Sequence, residues 1–221
     1  MIAERLNHVI QRIQKVDRSQ KVKLIAVSKK KSIALIKEAI NSGQKDFGEN
    51  YLQEAVEKIK AINDPSLTWH FIGPIQSNKT KIIASFATWV HSVERIKIAE
   101  RLNKHCFDLN KSINVLIQVN IDNEISKSGV QIADVHPLAK FIEEHCSNLR
   151  LRGLMFMPSL TKSENEKNES MERIKRAIEV ISSDFNNFDT FSFGTSHDYP
   201  IALKYGSNLI RVGENIFGKR E

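Results

Sequence analysis

Cysteine is scarce in this 221-residue chain: Cys106 and Cys146 stand alone, with no neighbour at metal-ligand spacing. Each falls in a stretch that reads as helix, so both are expected as reduced, buried thiols, which favours the cytoplasm. No segment approaches the long uncharged apolar run of a membrane helix. The opening MIAERLNHVIQRIQK carries charge throughout and reads as an amphipathic helix, without the apolar stretch of a signal peptide. A histidine metal triad, a Gly-rich Walker loop and a nucleophile elbow are all missing, so metal, Walker-type nucleotide and Ser/His/Asp chemistry have no motif to stand on. The formal net charge is +7, yet the basic residues are scattered among acids. Without a basic stripe or aromatic interleaving, that charge suits a small anionic ligand as well as it suits nucleic acid. Internal repeats and linkers are also lacking, and the expectation is one domain over residues 1–221.

What is present is an alternation. Short β-rich runs occur at residues 23–28, 45–49, 68–73, 88–93, 114–120, 149–157, 190–194 and 209–213, with helical stretches between them. The first run, KLIAVS, is nearly continuously apolar, as a strand covered on both faces should be. The segment after it has apolar residues at 33, 35, 36, 39 and 40, which is helical spacing, and Gly43 is a natural stop. Strands alternating with helices imply right-handed βαβ units and a parallel sheet. Eight such units close into a (β/α)8 TIM-type barrel, and an open doubly wound sheet is the alternative. Two stretches after strands read as mobile. Residues 121–130 form a polar loop, and residues 158–170 form either a solvated insertion or the start of a helix.

In a barrel, the residue after a strand lies at the mouth, where ligands bind. Lys29 follows the first strand directly. A lysine there can attack an aldehyde if burial or nearby charge lowers its proton affinity. If the chain stays extended, Lys29 and Lys31 share a side. Past the seventh and eighth runs come Gly194-Thr195-Ser196 and Gly213-Glu214-Asn215. Barrels often bind phosphate with these two loops. Ser196 is placed at the start of the short helical segment HDYPIALKYG, where it either meets an anion or caps the helix, and Pro200 fits the first turn of that helix. Glu49 and Asn50, then Gly73, Pro74, Gln76, Asn78 and Lys79, are placed at the same mouth. Arg211 either faces the ligand from inside the barrel or pairs with a neighbouring strand. His70, His91 and His197 are expected as satisfied or supporting residues and not as bases.

Read together, LIAVSK (24–29), FGENYLQE (47–54), WHFIGPIQSNK (69–79), HSV (91–93), VNIDNEISKSG (119–129), GLMFMP (153–158), FGTSHD (193–198) and IRVGENIFG (210–218) run in order over nearly the whole chain. In this the sequence resembles the YggS/PROSC family of pyridoxal 5′-phosphate (PLP) homeostasis proteins, which are alanine racemase N-terminal-like. The resemblance implies a fold-type III PLP barrel without the C-terminal β domain, usually monomeric. PLP would be a Schiff base on Lys29, and its phosphate would be held near Ser196 and the backbone of Gly213 and Glu214. Thr195 and Asn50 join that expected cofactor site. Arg211 beside the pyridine nitrogen would keep it unprotonated, which weakens the ring as an electron sink. Lys30 and Ser32 depart from the family's usual AVSKTK-P. Glu214 stands where the family often has Thr, so its carboxylate is expected to turn outward and leave only its N–H for phosphate.

No committed catalytic residue is assigned. A racemase needs an acid/base on each face of its substrate. The two-domain relatives take such groups from a second domain and a dimer partner, whereas this chain ends soon after the eighth run. A PLP carrier or regulator, with PLP-requiring apo-enzymes as its partners, is therefore the leading reading. A weak amino-acid racemase and a basic nucleic-acid or protein-binding module are the alternatives, and no membrane partner is expected. Lys31 is expected to offer a secondary imine site.

Overall fold

The structure is a computed structural model that describes residues 1–17, 21–124, 127–159 and 163–219. Helix α1 (Ile2–Val16) comes first, and β1 (Lys23–Val27) opens the alternation. There follow α2 (Ile33–Asn41), β2 (Asp46–Glu49), α3 (Leu52–Ile62), β3 (Thr68–Phe71) and a 3₁₀ turn at Ser77–Lys79. Next are α4 (Thr80–Phe86), β4 (Trp89–Val93), α5 (Ile96–Asp108), β5 (Ile113–Val119), α6 (Ile132–His145) and β6 (Leu149–Phe156). The chain closes with α7 (Glu164–Asp184), β7 (Thr190–Ser192), α8 (Tyr199–Lys204), β8 (Leu209–Val212) and α9 (Glu214–Phe217). All neighbouring strands are parallel, and β8 pairs with β1, so the sheet is a closed barrel in sequence order. That closure excludes the open doubly wound sheet. Every expected strand is present within two residues of its expected bounds.

Period-2 alternation divides each strand between two cores. Ile25, Val27, Ile72, Trp89, Leu116, Met155 and Leu209 form a cluster inside the barrel. The opposite faces pack under the helices, as Ala26, Phe47, Trp69, Ile210 and Val212 do with α1 residues Ile2, Leu6, Val9 and Ile13. The spacing of those α1 residues, four, three and four, is the single apolar stripe expected from the opening sequence.

Strand β6 breaks its own alternation. Val115 pairs with Leu151, but the next β5 residue, Leu116, pairs with Gly153, so Arg152 is an extra residue in the ladder. Leu149 and Leu151 belong to the outer core before the bulge, and Leu154 and Phe156 belong to it afterwards. One inserted residue thus swaps the faces and turns Met155 inward. Gly153 permits this, because its φ is +141° and an added Cβ would lie 2.2 Å from the Thr190 carbonyl oxygen.

The two loops expected to be mobile are bonded where they are described. Residues 121–130 fold back along β5: Asn120 N–H donates to Val130 O, Val130 N–H to Gln118 O, and Gly129 N–H to Glu94. Of residues 158–170, those from Ser163 on begin α7 with a reciprocal capping box between Ser163 and Glu166. Residues 125–126 and 160–162 lie outside the described residues. Cys106 and Cys146 are buried and not disulfide-bonded, and burial pushes both thiols up to about 11.

Candidate functional site

At the C-terminal end of β1, Lys29 stands two residues past Val27 and is half-buried. The chain does not stay extended. Lys31 N–H donates to Ser28 O at 3.0 Å, closing a turn, and Lys30 has a left-handed φ of +58°. The extended chain on which the same-side placement of Lys31 depended is therefore not formed. Its ammonium instead donates to Lys219 O at 2.9 Å.

Register sets what lies beside Lys29. Ala26 is opposite Val212, so Gly213 runs beside Val27, and an added Cβ there would meet Val27 O at 3.0 Å. Ser196 lies against the same loop. Its hydroxyl oxygen accepts from Gly213 N–H at 3.2 Å and Asn215 N–H at 3.4 Å, and Asn215 Nδ2 donates back to Ser196 O at 3.1 Å. Ser196 therefore meets the start of α9. It does not begin α8, whose N-cap residue is Asp198, with Pro200 in the first turn as expected. Thr195 is turned onto Asp198, to which its N–H and hydroxyl donate at 2.7 and 2.8 Å. The Glu214 carboxylate is exposed and lies 3.7 Å from His197 Nε2.

Asn50 follows β2 at the inward parity of Asp46 and Gly48. Its side-chain oxygen is buried with no hydrogen-bond partner among the described residues. Gly73 makes room for it, because a Cβ at 73 would stand 2.0 Å from the Asn50 carbonyl oxygen. Glu49, one residue earlier, has the opposite parity. It is fully buried behind the sheet, where Ser28 Oγ and Lys58 Nζ donate to it at 2.6 and 2.8 Å. It does not face the mouth as expected. Burial raises its carboxyl above the usual range, against the pull of Lys58 and Ser28. Pro74, Gln76, Asn78 and Lys79 are exposed on the rim.

Arg211 is buried inside the barrel and bridges two strands. Nη1 donates to Ser192 O at 2.8 Å and Ser192 Oγ at 2.6 Å, and Nη2 donates to Phe156 O at 3.0 Å. It is held by neutral acceptors, and not by the ion pair that was the alternative expectation. Burial pushes its guanidinium down to about 10, with Asp198 pulling the other way, so it remains a cation at neutral pH.

From Arg211 a hydrogen-bonded chain crosses the barrel. His91 Nδ1 is 3.1 Å from Ser192 Oγ, His91 Nε2 is 3.0 Å from His70 Nδ1, and His70 Nε2 is 3.0 Å from Asp46 Oδ1. One proton assignment satisfies every link. His70 gives its Nε2–H to the carboxylate and accepts from His91 Nε2–H, while His91 accepts from the Ser192 hydroxyl. Both imidazoles are then neutral, as their complete burial requires. Burial lowers His70 despite Asp46, and it lowers His91 further, helped by the charge of Arg211. His70 and His91 are thus buried and hydrogen-bonded, as the satisfied residues that were expected, whereas His197 is exposed.

Groups with depressed histidine values stabilise the fold above their unfolded value, ordinarily 6.5, and lose that contribution as pH falls below it. Stability should drop below pH 6.5 by up to about 1.4 kcal/mol per pH unit for each histidine. Urea unfolding between pH 7.5 and 5.5 measures this. The slope should be shallower in His91→Asn, and an unchanged slope would rule out the histidine origin.

Sequence reading missed Glu54, Lys58, Ser192 and Asp198. Among the described residues no group of three His, Cys, Asp or Glu side chains can hold a metal ion, and no helix is long and apolar enough to cross a membrane.

The alanine racemase N-terminal domain profile matches residues 3–221. The pyridoxal phosphate homeostasis protein of Haemophilus influenzae is 42% identical, over 99% of this chain and 96% of its own. PipY of Synechococcus elongatus PCC7942, solved without PLP, superposes with a TM-score of 0.89 at 33% identity, covering 99% of this chain and 100% of that one. PipY solved with PLP bound gives 0.86 at 32%, with the same coverage. A likeness of this extent in sequence and in barrel geometry leaves one assignment: the chain belongs to the alanine racemase N-terminal domain family and, within it, to the YggS/PROSC group of pyridoxal phosphate homeostasis proteins.

Proposed function

We propose that this chain binds PLP, holds it as a Schiff base on Lys29, and takes part in intracellular PLP homeostasis. The observation that carries the reading is the β1–β8 register, which sets Lys29 two residues past the strand position flanking Gly213. A lysine amine and an anion-binding loop thereby serve the same small molecule. The names of the curated relatives and the PLP-bound structure of PipY support that reading.

The residues present fit the cofactor. The Ser196 hydroxyl and the N–H groups of Gly213, Glu214 and Asn215 form a phosphate-sized donor set, with Thr195 beside it. The bonds from Gly213 and Asn215 to Ser196 are long, hence weak and readily exchanged for a phosphate oxygen. The unpartnered Asn50 oxygen supplies a polar contact inside the mouth. Arg211 brings a fixed cation to the ring side, and a cation there opposes protonation of the pyridine nitrogen. When bound, PLP supplies an aldehyde for imine exchange and a ring that withdraws electrons. Lys29 would hold the cofactor through an imine between its amine and that aldehyde. A ring kept unprotonated is a poor electron sink, so the geometry favours holding over turnover. The whole chain acts as one barrel domain, as a monomer in the cytoplasm, and passes PLP to apo-enzymes that require it.

The visible spectrum of purified protein, with and without borohydride, tests this. Wild type should show an imine band and carry a reduced adduct at Lys29, and Lys29→Ala should show neither. A wild type without imine, or a Lys29→Ala protein retaining the adduct at the same site, would overturn the assignment. Chiral analysis of products after adding amino acids tests weak racemisation, and salt-dependent nucleic-acid affinity tests the binding-module reading.

A further inference from the structure

We propose that Glu54 and Lys58, both on α3, are positioning residues that clamp the Ser28–Lys31 turn and so set the aim of Lys29. The proposal rests on the cofactor reading above. Lys58 is buried, and its three N–H donors all have acceptors: Ser28 O at 2.6 Å, Glu49 Oε1 at 2.8 Å and Glu54 Oε1 at 2.6 Å. The same Glu54 oxygen accepts Lys30 N–H. Ser28 is also held through its hydroxyl, which donates to Glu49 at 2.6 Å.

The peptide groups on either side of Lys29 are therefore tied to one buried charge cluster. The carbonyl of Ser28 takes Lys58, and the N–H of Lys30 gives to Glu54. Just past the second of these groups the chain takes the left-handed conformation of Lys30. A residue with a Cβ disfavours that conformation, so a partner has to hold it there. Glu54 is that partner, and Lys58 orients Glu54. With both peptide groups fixed, only the Lys29 side-chain torsions remain to be ordered when its amine reaches an aldehyde. Less freedom to lose means faster and tighter capture.

The test is the rate of imine formation when apo-protein is mixed with PLP, followed by absorbance in a stopped-flow instrument. Glu54→Leu should slow it roughly ten-fold, the factor by which a left-handed non-glycine residue is disfavoured. Adding Lys30→Gly to Glu54→Leu should restore most of the rate, because glycine takes positive φ without that penalty. A role of Glu54 in overall stability alone would not be rescued at residue 30. If Glu54→Leu does not fold, Lys30→Pro replaces it. Proline lacks the N–H and cannot reach φ +58°, while the Lys58 bonds to Ser28, Glu49 and Glu54 stay in place, so the same slowing is expected. Wild-type rates in Glu54→Leu or Lys30→Pro, or no rescue by Lys30→Gly, would overturn the clamp. Failure of the cofactor reading looks different, because the wild type itself would then give no borohydride-trapped adduct at Lys29.

Discussion

Replacing Lys58 with methionine should cost about 3–5 kcal/mol of folding free energy, the usual penalty for stranding a buried charge. Lys58 donates to Glu49, which is 0% exposed and whose second oxygen already lacks a partner among the described residues. Without the ammonium, the buried Glu49 and the partly exposed Glu54 carboxylates lose the cation between them, and the Ser28 carbonyl loses one of its two donors. Methionine fills the volume but supplies none of those donors. A domain of this size has about 5–15 kcal/mol of stability in total, so the loss is a large share. Urea unfolding at neutral pH measures it. Lys58→Met/Glu49→Gln should recover part of the loss, because the stranded charge goes with the second change. A single variant within 1 kcal/mol of wild type, on the scale of an exposed ion pair, would show that the cluster is solvated and not buried.

Lys58 also shows where sequence reading reaches its limit. In LQEAVEKIKAI it follows Glu54 by four residues, a pattern that ordinarily marks a solvent-facing pair on a helix. It equally follows the buried Ala55 by three, a position on the inward stripe, and that was the available signal. The strands were legible because their apolar runs are short, frequent and flanked by helical spacing. Closure followed from their number. The positions of Lys29, Ser196 and Gly213 just past β1, β7 and β8 were legible because a barrel makes the strand-following residue a mouth residue.

The turn after β1 was not legible. A non-glycine residue at positive φ leaves no compositional mark, and its support comes from a helix 24 residues away. Long-range pairing also hid the partner of Ser196, whose hydroxyl serves a helix start well beyond its own loop. The bulge at Arg152 was hidden in an unbroken strand pattern, since LRLRGLMF reads as continuous. His70 and His91 were expected to be satisfied inside the fold, but their contact depends on two strands meeting in register, which no local pattern encodes.

Arg211→Met tests the end of that chain nearest the mouth, and two opposing effects set its size. Removing the guanidinium orphans the carbonyls of Ser192 and Phe156, at about 1–3 kcal/mol each, and leaves the Ser192 hydroxyl with His91 alone. It also relieves the cost of burying the cation. Burial pushes the guanidinium down to about 10, which implies relief on the order of 3 kcal/mol. Mid-range, the orphaned acceptors outweigh the relief because methionine can donate to none of them, and a net loss of about 1 kcal/mol is expected in urea unfolding of the apo-protein. The bound form should respond separately. A fixed cation near a protonated imine opposes its charge, so its removal should raise the pH at which the imine loses its proton, read from the visible band across a pH titration. Arg211→Lys keeps the charge while giving up the two-strand bridge, and should lose stability with a smaller spectral shift. If Arg211→Met weakened the fold yet left the imine titration where it was, Arg211 would be a strut between β6, β7 and β8 with no electrostatic hold on the ligand.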